Sequence, residues 1–164
     1  MRILGIDPGL VRTGYGLIET AEGGHMRMVE AGVIRTKAGE GIALRVTEIF
    51  RNLTDIITEH RPDILVLEKV YSHYKHPVTA ILMGHARGIA CLACGLNDVR
   101  LVNYPATRIK KAVTGNGRAT KEQVQKTVKA LLGLNKLPEP VDISDALAMA
   151  VSYIYIEGAG GGKQ

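Results

Sequence analysis

The sequence predicts a mixed α/β fold: a five-stranded sheet, three antiparallel strands followed by parallel ones, with helices on both faces. Three observations carry this reading. The first 36 residues alternate strand patterns with turn residues and show no helical period. Residues 64–67 (Ile-Leu-Val-Leu) form an unbroken apolar run, the mark of a strand covered on both faces as in parallel sheets. From Gly41 onward, segments with apolar residues at helical spacing alternate with short strands.

Residues 2–7 run apolar into Asp7-Pro8-Gly9, a strand followed by a turn. Residues 13–20 and 26–36 read as the second and third strands, with a hairpin turn at Gly23-Gly24 between them. Over residues 41–60, Ile42, Leu44, Val46, Ile49, Leu53, Ile56 and Ile57 recur at helical spacing, and Arg61-Pro62-Asp63 stops the helix. The strand at 64–67 ends on Glu68. Residues 77–95 are apolar around most of the circumference, with Ala80, Gly84 and Gly88 four apart, which predicts a buried helix in close contact with another element. A short strand at 99–103 precedes a basic helix at 105–113 and a helix at 120–132 that Thr120 can cap. A loop containing two prolines follows, then a last helix over 142–156. Residues 158–164, mostly glycine, have nothing to bury and read as a disordered tail beyond a single domain of residues 1–157.

At 164 residues the chain supports one core and not two ordinary domains. Its 46% hydrophobic and 23% charged composition is that of a globular protein, no apolar run reaches a bilayer span, and no leader pattern opens the chain; a cytoplasmic protein without membrane contact is expected. The net charge of +5 is unevenly spread. Residues 100–130 carry Arg100, Arg108, Lys110, Lys111, Arg118, Lys121, Lys126 and Lys129 against Glu122 alone, a local +7 that leaves −2 for the rest. Such a window is a footprint for a polyanion, since Lys and Arg neutralise phosphates and release counterions. A solvated helix face competes with that reading, but Gly115-Asn116-Gly117-Arg118 sets glycines beside a cation, where backbone can approach a phosphate.

Four carboxylates stand at element ends: Asp7, Glu68, Asp142 and Asp145. Acids gathered onto one rim are what a hard cation such as Mg2+ requires, because it takes oxygen ligands and keeps waters for a phosphate to displace. Each has a structural rival. Asp7 can be a turn former, and Asp142 with Asp145 can be a capping box. Glu68 has the weakest excuse, since Glu is poorly suited to a strand end. The i, i+3 spacing of Asp142 and Asp145 puts both on one helix face near its positive end. Lys121 and Lys110 are candidates to stabilise charge on a phosphate or to position it. Tyr71 and Tyr74, flanking His73, place rings beside Glu68 where bases can stack or where a loop is anchored. Cys91 and Cys94 read as two buried reduced thiols, and Gly14-x-Gly16 as strand glycines under a close neighbour.

In order along the chain, Gly-Ile-Asp-Pro-Gly (5–9), Thr-Gly-Tyr-Gly (13–16), Ile-Arg-Thr-Lys (34–37), Glu-Lys-Val-Tyr (68–71), Gly-His-Ala-Arg-Gly (84–88), Gly-Asn-Gly-Arg-Ala-Thr-Lys (115–121) and Asp-Ile-Ser-Asp-Ala-Leu-Ala (142–148) together resemble the RuvC Holliday junction resolvases of the RNase H-like superfamily. The resemblance implies that Asp7, Glu68, Asp142 and Asp145 hold two Mg2+ ions per subunit, with Mn2+ able to substitute, and that they are catalytic together with Lys121. It implies DNA contacts from Lys110 and Lys121 and stacking by Tyr71 at the crossover; Lys111, Arg118, Arg108 and Tyr74 join the expected DNA-binding set. Further implied are a four-way junction substrate, a homodimer making two symmetric cuts that leave 5'-phosphate and 3'-hydroxyl ends, and a branch-migration helicase partner, RuvA-RuvB. The Ala80, Gly84, Gly88 face is the candidate subunit contact, against core packing within one subunit. Actin-like kinases open with a similar strand and Asp-Gly turn, but this chain is short of their second lobe and its basic window has no purpose there. A non-catalytic junction binder would have lost a carboxylate.

Overall fold

The computed structural model describes residues 1–21, 24–69 and 77–158. Ten elements follow in order: β1 (Arg2–Asp7), β2 (Arg12–Thr20), β3 (Met26–Arg35), α1 (Ile42–His60), β4 (Ile64–Glu68), α2 (Pro77–Leu96), β5 (Arg100–Tyr104), α3 (Ala106–Thr114), α4 (Lys121–Leu131) and α5 (Val141–Gly158). The sheet order is β3-β2-β1-β4-β5, antiparallel across β3-β2-β1 and parallel across β1-β4-β5. The mixed five-stranded architecture is therefore the expected one. At the β2–β3 hairpin Gly24 takes φ +79°, a conformation that costs glycine little.

Alternation along the strands divides the core in two. Ile3, Ile18, Ile64 and Val66 face α3, α4 and α5. Leu4, Ile6, Leu17, Ile34, Leu65 and Leu67 face α1 and α2. Side chains at 64–67 are thus buried on both faces, as their unbroken apolar run requires.

On the first face α5 lies directly on glycines. A Cβ added to Gly5 would stand 1.9 Å from the backbone oxygen of Ala146, one on Gly14 2.2 Å from that of Asp142, and one on Gly16 2.6 Å from Leu147 Cδ2. The Gly14-x-Gly16 pair is therefore a helix seat, in line with its reading as strand glycine. Because α5 begins at Val141, Asp142 stands inside the first turn rather than capping it, which removes the capping-box reading. Thr120 does cap α4: Gln123 N donates to Thr120 Oγ1 (3.2 Å) and Thr120 N to Gln123 Oε1 (2.8 Å).

The expectation for α2 needs correction. It is buried along one stripe only, Ala86, Ala90, Ala93 and Cys94, while Val78, Ile81, Leu82, Leu92 and Leu96 are exposed. A Cβ on Gly84 or Gly88 meets nothing within 4 Å, so these glycines make no close contact among the described residues. By length and composition Val78–Leu96 is apolar enough to cross a bilayer, against the expectation that no segment is. Its buried stripe nevertheless belongs to the core beneath the sheet. Cys94 is buried and its thiol pushed up to about 11, first by burial and then by Cys91, which is only half-buried.

Candidate active site

Parallel pairing of Ile6 with Leu67 makes Asp7 and Glu68 leave adjacent strands at the same level. The glycine seat brings the first turn of α5 across the same end, with Asp142 over Gly14. Asp7, Glu68, Asp145, Lys110 and Lys121 then line one cleft of about 310 Å³, floored by Ala106, Ile109, Val124, Ala148 and Met149. Lys110 reaches it from α3, and Lys121 from the first position of α4, held there by the Thr120 cap. Lys121 Nζ lies 3.2 Å from Asp145 Oδ2.

Asp142 stands apart from the cleft lining. Its Oδ2 is buried without a hydrogen bond, 3.6 Å from Arg12 Nε. Arg12, a residue the motifs did not single out, thus faces the acid. The structure also supplies Arg87 from α2: its Nη1 donates to the backbone oxygen of Glu68 (2.5 Å) and its Nη2 to Asn103 Oδ1. Arg87 lies in the quoted 84–88 segment, but nothing local tells which way it reaches.

Of the remaining expected residues, Arg108 and Lys111 line a separate hollow with Ala112, Tyr155 and Ile156, and the Arg108 guanidinium sits 5.2 Å over the Tyr104 ring. Arg118 is exposed on the turn between α3 and α4, its amide donating to Asn116 Oδ1 (2.9 Å). Tyr71 and Tyr74 lie outside the described residues.

The electrostatics are those of a site short of positive charge. Burial, then Asp145 and Asp142, push the Asp7 carboxyl up to about 7 against the pull of Lys121, with Glu68 adding a smaller push. Glu68 is exposed as a residue yet is also raised, by burial of its carboxyl and by Asp145, with Lys110, Lys121 and Arg87 opposing. Lys121 is raised chiefly by Asp145. Among the described residues no three Asp, Glu, His or Cys side chains form a closed metal cage. That is compatible with Mg2+, which binds through one or two carboxylates and retains waters. The all-oxygen donor set among the described residues of the cleft and the mutual repulsion at Asp7 fit a hard divalent cation.

Comparison with known proteins identifies the family. Residues 3–153 match the family model described as crossover junction endodeoxyribonuclease RuvC. The chain is 46% identical over 154 residues to the crossover junction endodeoxyribonuclease RuvC of Rhodopirellula baltica, covering 94% of this chain and 86% of that one. The structure is similar to that of Thermus thermophilus RuvC (TM-score 0.88, 29% identity, 98% of this chain and 97% of that one). It is equally similar to T. thermophilus RuvC in complex with Holliday junction substrate (TM-score 0.89, 26% identity, 98% and 97%).

Proposed function

The chain belongs to the RuvC family of crossover junction endodeoxyribonucleases, and from that membership we propose that it resolves four-way DNA junctions by hydrolysing phosphodiester bonds at the Asp7, Glu68, Asp145, Lys121 cleft. The observation that carries this is the convergence of three carboxylates and two lysines at one sheet end, with the Asp7 carboxyl pushed up to about 7 by burial and then by its acidic neighbours.

Asp7, Glu68 and Asp145 would hold Mg2+, with Asp142 in support and Mn2+ as a substitute. Bound there, Mg2+ would supply activation of a water and charge compensation at the leaving 3'-oxygen, for hydrolysis that leaves 5'-phosphate and 3'-hydroxyl ends. Lys121, 3.2 Å from Asp145, orients that carboxylate and sets a positive charge beside a phosphate entering the cleft. Lys110, which lines the same cleft, adds a second positive charge beside that phosphate. Arg87 fixes the end of β4 from which Glu68 projects. We place the protein in the bacterial cytoplasm as a single domain over residues 1–157, working with a RuvA-RuvB helicase complex. The test is direct. With Mg2+ the protein should nick a synthetic four-way junction symmetrically and spare a linear duplex of the same sequence; equal cleavage of both would overturn junction resolution.

Two cuts on strands of like polarity call for two copies of the site. The exposed α2 stripe, Val78 (67% exposed), Ile81 (61%), Leu82, Leu92 and Leu96, runs alongside Gly84 and Gly88 and offers an apolar seat for the same helix of a second copy. Ile81→Glu buries nothing new within the subunit, so the expected result by light scattering is a folded monomer where the wild type is a dimer. Its junction products should be singly nicked. A dimer retained in the variant would move the interface elsewhere.

A further inference from the structure

Arg87 stands where α2 leaves the core. No residue from 78 to 85 is buried, and Ala86, the first that is, immediately precedes Arg87. That stretch of α2, roughly two turns, projects from the subunit with Val78, Ile81 and Leu82 exposed. Beyond Arg87 the helix is held on the sheet by Ala90, Ala93 and Cys94, small side chains that bury little area and so fix its tilt weakly. Gly84 and Gly88 flank the arginine, and glycine inside a helix costs about 1 kcal/mol relative to alanine.

Arg87 lies nine positions on from Val78, about 180° around the helix at 100° per residue. One side of α2 thus carries the exposed apolar stripe, while the opposite side sends a guanidinium to the catalytic end of the sheet. Its Nη1 donates to Glu68 O (2.5 Å) and its Nη2 to Asn103 Oδ1, so one planar fork joins the last residue of β4 to β5. The pairing of β1 with β4 ends at Ile6 with Leu67, one residue short of Asp7 and Glu68. On the other flank the Lys69 amide donates to Tyr104 O (2.8 Å). The backbone that carries the Glu68 carboxylate is therefore held by β5 and by α2, beyond the reach of its ladder with β1.

We propose that Arg87 is a positioning residue that couples the two sides of α2. A second copy packing on the exposed stripe sets the tilt of the helix, the fork carries that setting to Glu68, and each cleft binds Mg2+ best within the pair. This inference rests on the reading of the protein as a dimeric junction nuclease. Its consequence is that a lone subunit meeting DNA is a poor nuclease.

Coupling between two binding events is reciprocal, so a pair that binds Mg2+ better must itself be tightened by Mg2+. In sedimentation equilibrium at matched ionic strength, saturating Mg2+ should tighten the wild-type dimer about 5-fold or more. Arg87→Gln should keep the wild-type dimer constant without Mg2+, because Arg87 lies on the far side of α2 from the stripe, and should lose the Mg2+ effect. The Mg2+ needed for half-maximal nicking should rise about 10-fold or more in this variant, with junction binding in EDTA unchanged. Should Arg87→Gln not fold, Asn103→Ala removes one arm of the fork from an exposed position and should show the same losses in smaller measure. A wild-type dimer indifferent to Mg2+, or variants tightened as much as the wild type, would overturn the coupling and leave junction cleavage standing. A wild type that is monomeric, or that nicks no junction, would overturn the reading on which the coupling rests.

Discussion

Asp7→Asn is expected to abolish Mg2+-dependent nicking of a four-way junction while leaving junction binding in EDTA intact. Asn keeps the shape and one acceptor oxygen but loses the charge a hard cation requires, whereas phosphate binding depends on the lysines and arginines around it. Full nicking by the variant would sink the assignment of Asp7 to the reaction.

The same substitution should stabilise the metal-free protein. With its carboxyl pushed up to about 7 from 3.8, the folded state holds a proton at Asp7 that the unfolded state has released. Stability therefore falls as pH rises from about 4 through about 7 and levels off above that. The destabilisation at pH 8 is on the order of 4 kcal/mol, because Asp7 is largely withdrawn from water. Asp7→Asn should thus melt several degrees higher than wild type in EDTA at pH 8, with the gap closing towards pH 5. Saturating Mg2+ should close it at pH 8 as well, through the wild type alone. A melting difference independent of pH would show that Asp7 is not the strained acid.

How much of this the sequence disclosed follows from the range of each interaction. Asp7, Glu68 and the Asp142/Asp145 pair were legible because a strand end or a helix start is a local event, and so was the Thr120 cap of α4. What depends on side-chain direction was not. Lys110 and Lys111 are neighbours in sequence but about 100° apart on a helix, so one enters the cleft and the other joins Arg108 on a separate face. Counting α2 as buried failed because alanine and glycine look equally apolar whether they meet the sheet or open space. In α1 the buried stripe is Arg45, Ile49, Leu53 and Ile57, while Ile42 and Leu44, whose spacing suggested a purely apolar stripe, are exposed. Arg87 and Arg12 act across 19 and 130 residues of chain, on the backbone of Glu68 and on Asp142, and no periodicity reports such a contact.

Gly5→Ala should be the most damaging single-methyl change in the molecule, and it tests how the fold builds the site. The added carbon would stand 1.9 Å from the carbonyl oxygen of Ala146 and 2.9 Å from Ala150 N, both backbone atoms that no rotamer change can move aside. β1 is the middle strand, fixed by antiparallel pairing to β2 and parallel pairing to β4, so α5 must lift instead. That opens the layer in which Leu147 and Val151 are fully buried and carries Asp142 and Asp145 away from Asp7. Overpacking a tight core costs about 1–3 kcal/mol where side chains can adjust, and a clash between backbones should reach or exceed about 3 kcal/mol. Gly39→Ala is the matched control, because its Cβ meets nothing within 4 Å. The expected melting order is Gly39→Ala at or above wild type, with Gly5→Ala far below both and inactive even at temperatures where it remains folded. A Gly5→Ala protein that melts and cuts normally would mean that α5 is not seated on the sheet glycines, and that the approach of Asp145 to Asp7 has another cause.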